Sequence, residues 1–189
     1  MRHPCVMAAA ITAIIAVTPV RADEISDAIG EAQRAYQGGR VEEARTALQE
    51  ALQLLQQRAA AGLAAALPEP LPGWTAEEAT SSAVGLTGLF GGSTAARSYR
   101  NARGQRVEIQ VMSDNPMITQ LAAILANPML AGAMGRIVRV GEQRAIQGND
   151  GNIQMLVDNR IVVQVEGNAP PEAKLAYARA INLARLAGR

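Results

Sequence analysis

The sequence predicts an α+β fold, in which an N-terminal α-helical hairpin is followed by an antiparallel β-sheet domain with helices packed on one face. The first observation is the helical spacing of apolar side chains over residues 23–66. The second is a late segment, residues 136–167, where short runs of alternating apolar and polar residues are separated by turn residues. Because the links between these runs leave no room for crossover helices, the strands should pair antiparallel.

Composition sets bounds on the size and the partners of the protein. The chain has 189 residues, of which 49% are hydrophobic and 19% charged, and its formal net charge is +1 at pH 7. This length suffices for one ordinary domain and a small appendage once a leader has been removed. A nearly neutral chain without a block of basic residues gives no electrostatic basis for binding nucleic acid.

Residues 1–22 carry the three parts of a secretory signal peptide. A positive start that contains Arg2 precedes an uncharged apolar run over residues 5–17. Val20 and Ala22 then provide the small residues of an A-x-A-like cleavage site. The sequence therefore predicts a cleaved leader and an exported, periplasmic protein.

The predicted leader contains the one cysteine of the chain, Cys5, and its one histidine, His3. Removal of the leader would exclude disulfides, cysteine nucleophiles, Cys/His zinc sites and histidine acid–base chemistry. The carboxylates of the remaining chain are scattered, and their spacing singles out no acid–base pair. We therefore predict that the protein is not an enzyme and has no catalytic residue, metal site or cofactor.

Residues 23–66 should form the helical hairpin. Apolar residues recur at helical spacing over residues 25–36, and Gly38-Gly39 ends that helix. A second helix places on one face Val41, Ala44, Leu48, Ala51, Leu52, Leu55, Ala59 and Leu63. The short glycine link favours antiparallel packing of the two helices. The apolar stripe would dock on the sheet domain, or associate with another copy or with a partner.

The turn of this hairpin has a characteristic sequence. Residues 35–44 read AYQGGRVEEA, and Leu48 and Ala51 follow at packing positions. This stretch resembles one tetratricopeptide repeat, although Ala28 and Glu31 stand where that family usually has Trp and Leu. Such repeats stack on neighbouring repeats, and no second copy occurs in the sequence. The resemblance therefore implies a helical hairpin and does not imply a peptide-binding superhelix.

Residues 67–73 mark a joint between the hairpin and the rest of the chain. They read LPEPLPG, and the alternating prolines block a helix and favour an extended polyproline conformation. This segment is predicted to be a semi-rigid linker and a domain boundary. The antiparallel α+β domain would span residues 74–189, and Trp74 should anchor its first strand or the joint to the core.

Two hairpin groups of this domain should share one sheet. Residues 94–101 and 106–113 flank an Arg103-Gly104 turn, and the meander over residues 136–167 follows later. Alternation along the strands gives a polar face that could contact a partner, made of Glu108, Gln110, Gln154, Gln164 and Glu166. The last helix begins after Pro170-Pro171, and Lys174 should lie on its exposed side.

Residues 79–96 and 115–135 carry no charge. In the glycine-rich first stretch, Leu86, Leu89 and Phe90 would form an apolar lid, with an edge strand, a disordered loop or a membrane-touching loop as alternatives. The second stretch predicts a helix that is broken or kinked at Asn127-Pro128 and that is buried on both sides or lies over the sheet. Membrane contact is the alternative for this second stretch.

These features favour a non-catalytic periplasmic binding or scaffold protein that acts through protein–protein contacts. Its partner would be another periplasmic protein, or a second copy bound through the helical hairpin, and peripheral membrane contact stays open. The alternative function is a carrier for a lipid or another apolar small ligand, because the two uncharged stretches could form a lid and a wall over the sheet.

Overall fold

The computed structural model describes residues 23–84, 92–114 and 117–188, and it confirms the α+β class. The predicted leader lies outside these residues. Along the chain the elements are α1 (Glu24–Gln37), α2 (Val41–Ala64), β1 (Trp74–Ala76), β2 (Thr80–Val84), β3 (Gly92–Asn101), β4 (Arg106–Ser113), α3 (Met117–Ala126), α4 (Pro128–Met134), β5 (Arg136–Val140), β6 (Gln143–Gln147), β7 (Ile153–Val157), β8 (Ile161–Glu166), α5 (Pro171–Ala180) and α6 (Leu183–Leu186).

Helices α1 and α2 pack against each other through small side chains. The buried residues along the contact include Ala28, Ala32, Ala35, Ala44, Ala47 and Ala51. Alanine allows the two helix backbones to approach closely, and the neighbouring leucine stripe of α2 is therefore turned outward. Leu48 is 56% exposed and Leu55 is 46% exposed. The single apolar face that the sequence predicted for α2 thus divides into a buried alanine stripe and an exposed leucine stripe.

The strands of the described residues form one eight-stranded antiparallel sheet with the order β1-β3-β4-β8-β7-β6-β5, and β2 also pairs with β3. The pairing of β4 with β8, which sets Val111 opposite Val163, joins the two predicted hairpin groups. The β7–β8 turn has positive φ at Asp158 (51°) and Asn159 (52°), a conformation that these residue types tolerate. The predicted antiparallel meander over residues 136–167, with its strands separated by turn residues, is therefore confirmed.

Helices cover both faces of the sheet, where the sequence predicted one. One face packs against the end of α2 and against α5 and α6, and its core includes Ile109, Val163 and Tyr177. The opposite face packs against α3 and α4, through a smaller cluster that includes Val162 and Leu121. On this second face β4, β7 and β8 carry the buried apolar residues Met112, Leu156 and Val162 at one end of the strands, so this part of the face also needs a cover.

The proline-rich joint packs onto the sheet. Leu67 is buried, and the Tyr99 hydroxyl donates a 2.7 Å hydrogen bond to the carbonyl oxygen of Pro68. The Arg97 guanidinium donates to the same carbonyl at 3.1 Å. These bonds hold the extended segment against β3, while the division of the chain into a hairpin unit and a sheet domain stays a prediction.

Three aromatic rings fix the far end of the joint. The rings of Trp74 and Tyr177 meet edge to face with centroids 5.3 Å apart, and those of Tyr99 and Tyr177 lie 4.4 Å apart. The backbone N–H of Leu71 donates to the Tyr177 hydroxyl at 3.3 Å. The tryptophan thus anchors the entry to the first strand, as its position in the sequence indicated.

These buried phenols give the protein a defined response to alkaline pH. Burial raises the pKa of Tyr99 and that of Tyr177 above the ordinary tyrosine value of about 10. A folded-state pKa above the unfolded one adds stability that is complete below pH ~10 and is lost as the pH rises further. Tyr99→Phe should therefore flatten the alkaline fall in unfolding free energy by up to about 1.4 kcal/mol per pH unit.

Urea titrations of the wild type and of Tyr99→Phe between pH 8 and pH 12 measure this difference directly. Other alkaline titrations are common to both proteins and cancel in the comparison. Parallel pH profiles for the two proteins would show that Tyr99 does not resist ionisation in the folded state.

Candidate functional site

The residues predicted to contact a partner do lie together on one face of the sheet. Antiparallel pairing sets Glu108 opposite Glu166, and it sets Gln164 opposite both Gln110 and Gln154. Opposed carboxylates on neighbouring strands repel each other. The guanidinium of Arg106 reduces this repulsion, because it donates to the Glu108 carboxylate at 2.6 Å. The sequence thus predicted a continuous polar surface on the sheet, which we call the polar shelf and which consists of Glu108, Gln110, Gln154, Gln164 and Glu166. Its role in binding stays a prediction.

A cavity of about 520 Å³ lies at the end of this shelf. Its lining residues are Met134, Ile146, Gly148, Asn149, Asp150, Asn152, Gln154 and Glu166. Only Gln154 and Glu166 of the predicted contact residues take part. The other polar groups come from residues 148–152, which belong to the turn residues between the strands and were not predicted as site residues.

Lys174 binds the turn at residues 148–152, which lines this cavity. Its ammonium donates to the backbone carbonyl oxygen of Asp150 at 2.8 Å and to the side-chain oxygen of Asn152 at 2.7 Å. Gly151 lies between them with φ +76°, and a Cβ at this position would lie 2.8 Å from Cγ of Pro171. The turn is therefore fastened to the start of α5 by hydrogen bonds and by close packing.

The prediction that Lys174 lies on the exposed side of its helix is wrong, because the side chain is only 2% exposed. Tyr177 and Ala178, which are three and four residues later, are also buried. Residues at these spacings share one face of a helix. The large apolar residue at position 177 was therefore the signal that could have placed Lys174 inward.

The cavity offers hydrogen-bonding groups. The Asp150 carboxylate accepts from the backbone N–H of Asn152 at 2.9 Å and from its side-chain amide at 2.7 Å, so it is already engaged. In the described part of the chain, no three His, Cys, Asp or Glu side chains converge to hold a metal ion. The arrangement suits recognition of a polar group through amides and carboxylates.

The predicted apolar lid, Leu86, Leu89 and Phe90, lies outside the described residues. The strand residues that follow it are described, and Gly92 and Ser93 line a cavity of about 430 Å³ together with Leu52 and Leu55 of α2. The Ser93 hydroxyl donates to the backbone carbonyl oxygen of Gln56 at 3.1 Å. This bond ties the start of β3 to the second helix.

A second candidate surface is the exposed apolar face of the hairpin, which we call the hairpin face. It consists of Ile29, Tyr36, Val41, Leu48, Leu52 and Leu55, all of them exposed. At 100° of helical rotation per residue, these side chains lie at about the same angle around the helix axis from the buried alanines in α1 and in α2. Because the two helices run antiparallel, equal angles in the chain direction point to the same side of the hairpin.

The acidic residues of the hairpin lie mainly on its opposite side. The same rotation directs Glu24 and Glu31 of α1, and Glu43 and Glu50 of α2, away from the hairpin face. Arg45 at the border of the face is paired with Glu42 at 2.7 Å. The sequence predicted the apolar stripe, but only the burial of the alanines shows which part of it is exposed among the described residues.

Comparison with known proteins yielded no relative for this chain. Neither a protein-family model, nor a characterised protein, nor a solved structure matched it. None of the described helices is both long and apolar enough to cross a bilayer. The surfaces described above therefore provide the basis for assigning a function.

Proposed function

We propose that the protein is an exported, non-catalytic binding or scaffold protein, and that the hairpin face is the surface that contacts its protein partner. The observation that carries this proposal is the exposure of large apolar side chains on one side of the hairpin. Tyr36 is 71% exposed and Leu48 is 56% exposed. Contiguous apolar exposure of this kind marks interaction sites on soluble proteins.

The composition of the hairpin face supports a protein partner. The centres of protein–protein interfaces are depleted in charged residues and enriched in aromatic side chains. On the hairpin face the acids are turned away, and Tyr36 is a large, exposed anchor of the type that dominates binding energy. The partial resemblance to a tetratricopeptide repeat supports the same role, because helical pairs of this type present packing surfaces to other helices.

The proposed export and the proposed absence of catalysis rest on the sequence. The tripartite pattern of residues 1–22 supports a cleaved leader, which would remove His3 and Cys5. The carrier function stays a prediction, since the residues of its lid lie outside the described part of the chain. A partner-binding role therefore has the stronger support.

Photo-cross-linking from the hairpin face tests this proposal. A photoreactive side chain at position 52 of the full-length protein in its producing cells should give discrete adducts, and the same side chain at position 50 should not. Leu52 belongs to the hairpin face, while Glu50 points to the opposite side. Leu48→Asp should lower the adduct yield from position 52 about tenfold or more, as expected for a residue at the centre of an interface.

The control is the stability of the Leu48→Asp protein, which should unfold within about 0.5 kcal/mol of the wild type because the residue is exposed. Adducts of twice the chain mass would identify a second copy as the partner. Equal adduct yields from positions 50 and 52, or none from position 52, would contradict the proposal.

A further inference from the structure

A second apolar surface lies at the opposite edge of the sheet from β1 and β2, where α4 covers β5 and β6. Met129 is 83% exposed, and Leu130, Met134 and Ile137 are between 38% and 49% exposed. Arg139 and Arg144 lie on the same face of the sheet as Ile137, two residues farther along β5 and β6. We call these six residues the Met–Arg patch.

Helix α4 is held in place while its outer side stays uncovered. The Asn127 side-chain oxygen caps the helix by accepting from the backbone N–H of Met129 at 3.0 Å. On the inner side, Ala131 is fully buried against the sheet. The apolar side chains of α4 are therefore presented by a fixed helix, with a cap on its first turn and a contact to the sheet beneath.

The two arginines of the patch face each other across the strands. Arg139 of β5 is paired with Arg144 of β6, and like charges in directly opposed positions repel. Within the described residues, no hydrogen bond or ion pair satisfies either guanidinium. An anion that approaches this face would remove the repulsion and would bind both groups.

Carboxylates near the patch do not neutralise it. Glu142 lies in the β5–β6 turn, and the structure shows no ion pair from it to either arginine. Asp150 and Glu166 lie across the cavity on the other side of Met134, and Asp150 is engaged by Asn152. The positive charge of the patch therefore lies on β5 and β6, beside the apolar residues of α4.

We propose that the Met–Arg patch binds a membrane surface that contains anionic phospholipids. The apolar side chains of α4 and Ile137 would enter the boundary between head groups and acyl chains, and the arginines would bind lipid phosphates. Exposed apolar residues beside unpaired cations fit such a surface, whereas the charge-poor hairpin face fits protein. This binding is independent of the function proposed for the hairpin face.

Vesicle co-sedimentation of the full chain tests the proposal. Binding should be clear with vesicles of phosphatidylcholine and phosphatidylglycerol, and weak with phosphatidylcholine alone. The double variant Arg139→Gln/Arg144→Gln should partition about thirtyfold less onto the anionic vesicles, the factor expected from the loss of two interfacial arginines. Met129→Ser/Leu130→Ser should also weaken binding. This loss should persist at high salt, because salt screens the contribution of charge and not that of the apolar side chains.

The matched control is Arg103→Gln/Arg179→Gln, which removes two exposed arginines that lie outside the patch. This variant should retain wild-type binding, and unchanged circular dichroism should show that all variants are folded. The proposal is overturned if the protein binds neither vesicle, if it binds both equally, or if the control lowers binding as much as the patch variants. Loss of binding on substitution of Leu48 and Leu52, with the patch variants unaffected, would also overturn it and would assign lipid binding to the hairpin.

Discussion

Replacement of Tyr177 by alanine is expected to lower the free energy of unfolding by about 4 kcal/mol, within the range for large-to-small substitutions of buried aromatic residues. Tyr177 is fully buried, and its ring contacts those of Trp74 and Tyr99. The substitution would leave a cavity between the sheet and the proline-rich joint. It would also deprive the backbone N–H of Leu71 of its acceptor.

Chemical denaturation of matched variants separates these contributions. Tyr177→Phe keeps the ring and removes the hydroxyl, so it should cost about 1 kcal/mol. Tyr36→Ala changes a tyrosine that is 71% exposed and should leave the stability within about 0.5 kcal/mol of the wild type. If Tyr177→Ala were no more destabilising than Tyr36→Ala, the aromatic cluster would not be the centre of this core.

Replacement of Lys174 by methionine is expected to lower the free energy of unfolding by about 2–3 kcal/mol. The ammonium bonds to Asp150 and Asn152 would be lost, and a hydrogen bond to a charged group contributes about 1.5–3 kcal/mol. Methionine carries no charge, so the substitution also removes the free-energy cost of burying the ammonium, and this gain offsets part of the loss. The turn at residues 148–152, which forms one wall of the 520 Å³ cavity, should loosen at the same time.

Two measurements check the Lys174 prediction. Urea denaturation gives the change in stability, with Arg179→Met as a control on the exposed side of the same helix, expected to change it by less than about 0.5 kcal/mol. Amide hydrogen exchange should show faster exchange at Gly151, whose N–H donates to the Gly148 carbonyl oxygen. A more stable Lys174→Met protein with unchanged exchange would mean that the lysine is tolerated at this site and does not hold the turn.

Local patterns in the sequence predicted the sheet well. The alternation in β4, β7 and β8 depends on neighbouring residues alone, and the Asp158-Asn159 turn is a local signal too. The position of the hairpin face could not be predicted in this way, because α2 carries both an alanine stripe and a leucine stripe. The helices could have met through leucines or through alanines, and this choice is settled by three-dimensional packing, which periodicity does not encode.

The candidate sites were predicted only in part, for a similar reason. The polar shelf follows from alternation, and its residues are indeed neighbours. The cavity combines residues from α4, the 148–152 turn and the three strands β6, β7 and β8, and only the folded sheet and its covering helix bring them around one space. In the Met–Arg patch the two-residue Gly141-Glu142 link sets Arg139 opposite Arg144, but the placement of the α4 side chains beside this strand pair depends on the packing of α4 onto the sheet. Such combinations arise only when the chain is folded.

The position of Trp74 gives this protein an intrinsic optical probe. It is the one tryptophan in the sequence, and it contacts Tyr177 where the extended joint meets the sheet. Fluorescence excited at the red edge of indole absorption therefore originates from this one location. A change in its emission wavelength would report movement at the connection between the helical pair and the strands, without any label attached to the molecule.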